Sequence, residues 1–135
     1  MPYLGKKPIT QRNNYPNSGQ YKPYIPENKP EKEKIDKMFE VISECDINKI
    51  KQKMNELNIG LNIVNENEQT PIHIVLNNIN PSVTEQIKFL LVDFFVKNGV
   101  SVNTHDTNNV TALHLAVKNQ YADIVNLLID SGANV

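Results

Sequence analysis

Apolar positions in residues 106–135 recur at helical spacing. Leu113, Ala116 and Val117 lie at i, i+3 and i+4, so they share one helix face. Ile124, Leu127 and Leu128 repeat the spacing in a second helix. Gly132 follows where a left-handed residue ends such a helix. Two helices this short cannot close a core between themselves. The stretch therefore reads as one unit of a stack in which neighbours bury each other's apolar faces. The same alternation recurs upstream. Ile35, Met38, Phe39 and Ile42 form one stripe, and Ile50, Met54 and Leu57 another, with Lys49, Lys51 and Lys53 off it. A third outer stripe is expected at Ile87, Leu90, Leu91, Phe94 and Phe95. Asp46, Thr70, Thr84 and Thr111 stand where side-chain oxygens cap helix starts, and Glu31 and Glu33 favour the first turn of the earliest helix.

Two motifs make the pattern specific. Thr70-Pro71-Ile72-His73 is the cleaner copy, with proline in the first turn, where no N–H is needed. Thr111-Ala112-Leu113-His114-Leu115-Ala116, followed by Ile124-Val125, Leu127-Leu128 and Gly132-Ala133-Asn134-Val135, covers nearly a whole unit. These segments resemble an ankyrin repeat. The resemblance implies an all-α solenoid of stacked helix-turn-helix units with β-hairpin fingers. Units are expected at about 31–64, 65–105 and 106–135, the first a degenerate N-terminal copy. Residues 58–69 and 99–110 align as connectors, with Asn58 in the glycine position and Asn62 matching Asn103. Glu68 and Asn109 replace the glycine usual at the finger tip. Glutamate tolerates a left-handed conformation less readily than asparagine, so a distorted turn is expected at Glu68. The motif histidines are expected to bond back to the loop around their threonines.

The resemblance also implies a function, recognition of another protein by fingers and inner helices, without catalysis. It places outward, in the middle unit, Val64, Glu66, Asn67, Gln69, Asn77 and Asn78, and in the last unit His105, Thr107, Asn108, Val110, Lys118 and Asn119. This surface is neutral, polar and poor in aromatic anchors, whereas binding energy usually concentrates on aromatic and Arg residues. Either the affinity is modest or tyrosines elsewhere supply the anchors. Two further readings stay open, a structural assembly component lashed by its tail and the recognition part of a longer protein. Residue 135 falls inside a connector with no polar cap after it, so further repeats or a partner are expected over that end.

The middle unit is longer than the last. Thr70 and Gly99 are 29 positions apart, against 21 for Thr111 and Gly132, an insertion of about eight residues around 77–84 that contains Pro81. A longer loop or an extended first helix is expected, on the side away from the fingers, as neutral insertion or as a contact surface.

Composition sharpens the picture at the N-terminus. Residues 1–30 hold six of the eight prolines and four of the five tyrosines, with five basic residues and one acid. Residues 31–135 hold nine basic and fourteen acidic residues. Proline removes backbone donors, so an extended tail is expected over 1–30, either mobile or docked through Tyr3, Tyr15, Tyr21 and Tyr24. Basic residues among tyrosines can suit single-stranded nucleic acid, but five charges without a folded platform argue against it. The overall charge of -1 gives no electrostatic case for nucleic acid or membrane. No apolar run reaches the ~20 residues of a membrane span, and residues 1–30 lack a signal-peptide core. The single cysteine, Cys45, excludes an internal disulfide and fits a reducing, intracellular, cytoplasmic setting. Twenty asparagines, with abundant Ile and Lys, are typical of AT-rich genomes, among them those of intracellular microbes and large DNA viruses.

No enzyme chemistry is legible. His73 and His114 sit on equivalent helix starts, and a metal site would need three or four converging ligands, so neither metal nor cofactor is expected. His105 is a loop histidine that could titrate at a contact surface. Cys45 precedes Asp46, whose charge opposes a thiolate. Phosphate loops and hydrolase motifs are lacking.

Overall fold

The computed structural model describes residues 29–134. Residues 1–28 of the expected tail, with Tyr3, Tyr15, Tyr21 and Tyr24, lie outside them. Six helices follow in chain order: α1 Lys29–Ile42, α2 Ile47–Leu57, α3 Pro71–Leu76, α4 Glu85–Lys97, α5 Ala112–Lys118 and α6 Ala122–Asp130. α1 begins two residues inside the stretch expected to be extended.

Local chemistry places the boundaries. The Asp46 carboxylate accepts from the Asn48 and Lys49 N–H groups at 3.0 and 3.3 Å. The Thr84 hydroxyl accepts from Ile87 N–H at 3.2 Å. Thr70 and Thr111 each form a reciprocal box with the histidine three residues on. α2 ends at Asn58, left-handed at φ 54°, and Gly99 and Gly132 take φ 94° and 103°. Only residues tolerant of positive φ suit these stops.

Helices pair as α1–α2, α3–α4 and α5–α6, and the pairs stack. α3 packs on both α1 and α5, and α4 on α6. Ile35, Met38, Ile42, Ile50, Leu61, Ile72, Val75, Leu91, Phe95, Ala116, Ile124 and Leu128 form one continuous core. Lys51 Nζ lies 5.5 Å above the Phe94 ring, a cation–π contact between α2 and α4.

Two expectations change, and the choice left open for the insertion is settled. The fingers are tight turns without a strand ladder among the described residues, because each connector closes on itself within five residues. The insertion is a loop, not a lengthened helix. Asn78 Oδ1 accepts from Asn80 N–H at 2.8 Å and Asn80 Oδ1 from Ser82 N–H at 2.9 Å, turns that compete with helix continuation before Pro81. On α4 the buried face is Lys88, Leu91, Val92 and Phe95. Ile87 and Leu90 are exposed, Leu90 at 52%. The helix is apolar nearly all round, so spacing alone could not orient it.

Equivalent positions in successive units differ in burial. Ile72, His73 and Leu76 are sealed by α5, whereas their counterparts Leu113 and His114 are half-buried and exposed, and Val117 is 57% exposed. The open side of α5 is the face a neighbour covers on α3. Truncation should register the difference. Ile72→Ala is expected to lower unfolding free energy by about 2–5 kcal/mol and Leu113→Ala by clearly less, read by urea denaturation of the full chain.

Candidate functional site

The two connectors end in turns of the same construction. Asn65 N–H donates to the Gln69 carbonyl at 3.0 Å and Glu68 N–H to the Asn65 carbonyl at 2.9 Å. Asp106 and Val110, and Asn109 and Asp106, repeat both bonds, each at 2.9 Å. The first side chain closes each loop. Asn65 Oδ1 accepts from Asn67 and Gln69 N–H, both at 2.9 Å, and Asp106 Oδ1 from Asn108 and Val110 N–H at 2.8 and 3.0 Å. Glu68 and Asn109 take φ 61° and 63°. The expected distortion at Glu68 is therefore absent; the four hydrogen bonds of its loop hold it in the left-handed region that its side chain disfavours. Thr107 N–H donates to the Asn67 carbonyl at 3.1 Å and ties one turn to the next.

His73 anchors this row from behind. Its Nδ1 accepts the Thr70 N–H at 3.1 Å, which leaves the proton on Nε2. Nε2–H donates to the Val110 carbonyl at 2.7 Å, 37 residues away. Burial pushes the His73 pKa below its ordinary value; the Val110 bond and the Asp106 charge oppose this and His105 adds to it. For Asp106, burial raises the pKa, but N–H donation from Val110 and Asn108 and the nearby histidines outweigh it, and the carboxyl titrates below its usual range. Asp106 thus stays ionised to serve its turn.

The structure sorts the expected contact residues. Glu66, Asn67, His105, Thr107 and Asn108 are exposed on the turns, and Asn77, Lys118 and Asn119 at the ends of α3 and α5. Gln69 and Val110 are half-buried, and Val110 packs against the core. Val64 is buried, contrary to expectation, because it lines a cleft beside Ile35 of α1, whereas its counterpart His105 is exposed. Asn78 is a strut rather than a free contact. Its amide donates to the Ser43 carbonyl and to Cys45 Sγ, both at 3.4 Å, and its carbonyl accepts from Lys88. Cys45 is buried, and burial raises its thiol pKa despite Lys88 and the Asn78 bond. His114 repeats the Thr–His box, with Thr111 N–H to Nδ1 at 3.0 Å, but lies exposed at the open side.

Sequence reasoning missed Lys88. It is 4% exposed and lines a pocket of about 460 Å³ beneath the inserted loop. A charged residue in register with Leu91, Val92 and Phe95 was the available signal, hidden by the general rule that lysines face solvent. Among the described residues no three His, Cys, Asp or Glu groups converge as a metal site would require. No described helix is long and apolar enough to cross a membrane.

A family model described as ankyrin repeats (3 copies) matches residues 37–135. A putative ankyrin repeat protein of Acanthamoeba polyphaga mimivirus is 29% identical over 115 residues, covering 78% of this chain. The chain spans 6% of that relative's own length.

The buried histidine makes stability depend on pH. Unfolded, His73 titrates near 6.5; folded, it stays neutral to lower pH. The unfolded chain then binds more protons, so the contribution is complete above that value and is lost as pH falls below it towards the folded pKa. Between about pH 7.5 and about pH 5.5 the urea midpoint of the parent chain is expected to fall. His73→Gln should start lower and lose less over the same interval.

Proposed function

The chain belongs to the ankyrin-repeat family, and from that membership we propose that it acts as a non-catalytic recognition module for another protein, through the turn row and the adjoining helix ends. Ankyrin repeats are generally protein–protein interaction modules. The observation that carries the reading here is the row of exposed polar side chains on turns already locked by hydrogen bonds. Glu66, Asn67, Thr107 and Asn108 sit on loops whose backbones are held at four points each, and Thr107 N–H joins the two loops at 3.1 Å. A partner that docks there orders little backbone, which lowers the entropic cost of binding. Asn77, Lys118 and Asn119 extend the contact along α3 and α5, and His105 borders it. The units near 65–105 and 106–135 each contribute a turn and a helix end, and the unit near 31–64 packs behind them. Tyr3, Tyr15, Tyr21 and Tyr24 provide the aromatic anchors that the row lacks, and the single cysteine suits an intracellular, cytoplasmic setting.

The open side of α5 favours a second reading, in which this stack is the recognition part of a larger assembly. Leu113 and Val117 then bury against a further unit or another protein, as Ile72 and Leu76 bury against α5.

Affinity selection from a displayed protein library on the full chain tests the first reading. Binders are expected to lose at least about tenfold in affinity, ~1.4 kcal/mol, against a Glu66→Arg/Asn108→Arg chain. Gln86→Arg, on the exposed side of α4, should leave them unchanged. Binders indifferent to the turn variant and sensitive to Gln86→Arg would overturn it.

A further inference from the structure

The inserted loop and the helix ends beneath it enclose a site on the opposite side of the stack from the turns. The turns precede α3 and α5; the pocket lies where those helices end and where α4 and α6 begin. Its floor is Lys88. The Lys88 ammonium donates to the Asn78 carbonyl at 2.7 Å and to the Tyr121 hydroxyl at 3.0 Å, with Nζ 5.1 Å from the Tyr121 ring centre. These contacts use two of its three N–H groups.

Among the described residues its charge has no acidic partner. Lysines that pair with acids, such as Lys49 with Glu44 and Lys97 with Asp93, have largely exposed side chains. Lys88, buried to 4% exposure, has no carboxylate within 4.0 Å among the described residues. The pocket wall adds Lys118 and four asparagines and contains no acid among the described residues. A cation held out of water without a counter-charge is costly, and an anion brought to it is attracted more strongly than at the surface.

We propose that this pocket receives an aspartate or glutamate side chain from a peptide segment of a partner protein, seated on the remaining N–H of Lys88. One ammonium with a single open donor suits a carboxylate oxygen; it lacks the arginine fork or donor cluster that grips a phosphate group. Lys118 at the wall draws the acid in. Ile79, 94% exposed on the loop above, offers the apolar contact for a neighbouring residue of the same peptide. That combination of buried cation and apolar rim fits an acidic residue flanked by aliphatic ones. The insertion therefore adds a second docking point, which borders Asn77, Lys118 and Asn119 at the helix ends but uses none of the turn residues.

The test uses the full chain, labelled with nitrogen-15, and two probes, acetyl-Leu-Glu-Leu-amide and acetyl-Leu-Gln-Leu-amide. The glutamate peptide is expected to shift amide signals of Asn78, Lys118, Asn119 and Tyr121, and to bind at least tenfold tighter than the glutamine peptide. Lys88→Met keeps the length and apolar stem of the side chain, so the chain should stay folded by circular dichroism and lose the preference. Lys118→Met, on an exposed residue, should weaken the glutamate peptide severalfold, and this holds the inference to account if Lys88→Met unfolds. Equal binding of both peptides, or no shift at millimolar peptide, overturns it. Inorganic phosphate at matched ionic strength that displaces the peptide and binds more tightly would show a general anion site instead. Peptide binding that requires Glu27→Gln in the tail would show that the chain's own acid occupies the pocket, and would also overturn it. Lys118 borders both proposed surfaces, so the variants that separate them are Glu66→Arg/Asn108→Arg on the turns and Lys88→Met in the pocket; loss of the turn-row binders leaves the Lys88 result untouched.

Discussion

The hydrogen bond from His73 Nε2 to the Val110 carbonyl ties two successive units of this molecule together. One ring closes the start of α3 through Thr70 and reaches the turn that precedes α5. It works only while the ring is neutral, since Nδ1 must accept and Nε2 must donate. Burial, which depresses the pKa, enforces that state. A buried polar bond of this kind has a large penalty for loss relative to its net gain, because either partner left alone is unsatisfied. It therefore specifies register between units as much as it stabilises them. Amide side chains repeat the logic on the other side of the connectors. Asn62 Oδ1 takes Ser101 N–H at 3.2 Å, and Asn103 spans to Gly132 and Asn134 at 3.0 and 2.8 Å.

These ties explain why a stack with such small units holds rigid turns. Neither turn is supported by a strand ladder among the described residues. Each is fixed internally by its leading Asn65 or Asp106 side chain and externally by the unit beside it. Rigidity at the surface is thus inherited from contacts between units, and a recognition surface made this way needs at least two of them.

Much of this was legible in the residues. Capping oxygens, the left-handed stops at Asn58 and Gly132, the stripes of α1 and α2 and the Thr–His boxes follow from local rules that tertiary context did not override. What could not be read was set by neighbours. Ile72 and Leu113 occupy the same motif position, yet one is sealed and the other half-open, because burial depends on what lies on the far side. Val64 and His105 stand at the same place before their turns, yet Val64 is buried in a cleft beside Ile35 of α1 and His105 is exposed, so the neighbour and not the register decides. Asn78 reads as a loop amide, but its partners Ser43, Cys45 and Lys88 lie 35, 33 and 10 residues away.

Lys88 shows how such a miss can matter. Its α4 position corresponds to Tyr121 in the next unit, so the two residues stack across the interface as equivalent members of successive repeats. A tyrosine there satisfies itself with an apolar ring and one hydroxyl. A lysine brings a charge that the same space cannot neutralise, and it is tolerated because the inserted loop supplies the Asn78 carbonyl at 2.7 Å and because Tyr121 offers its hydroxyl and ring face. The loop's Asn78–Asn80 turn holds that carbonyl against the ammonium, which without it would lose its shortest contact. The insertion and the buried cation therefore depend on each other, and the pocket between them is the consequence.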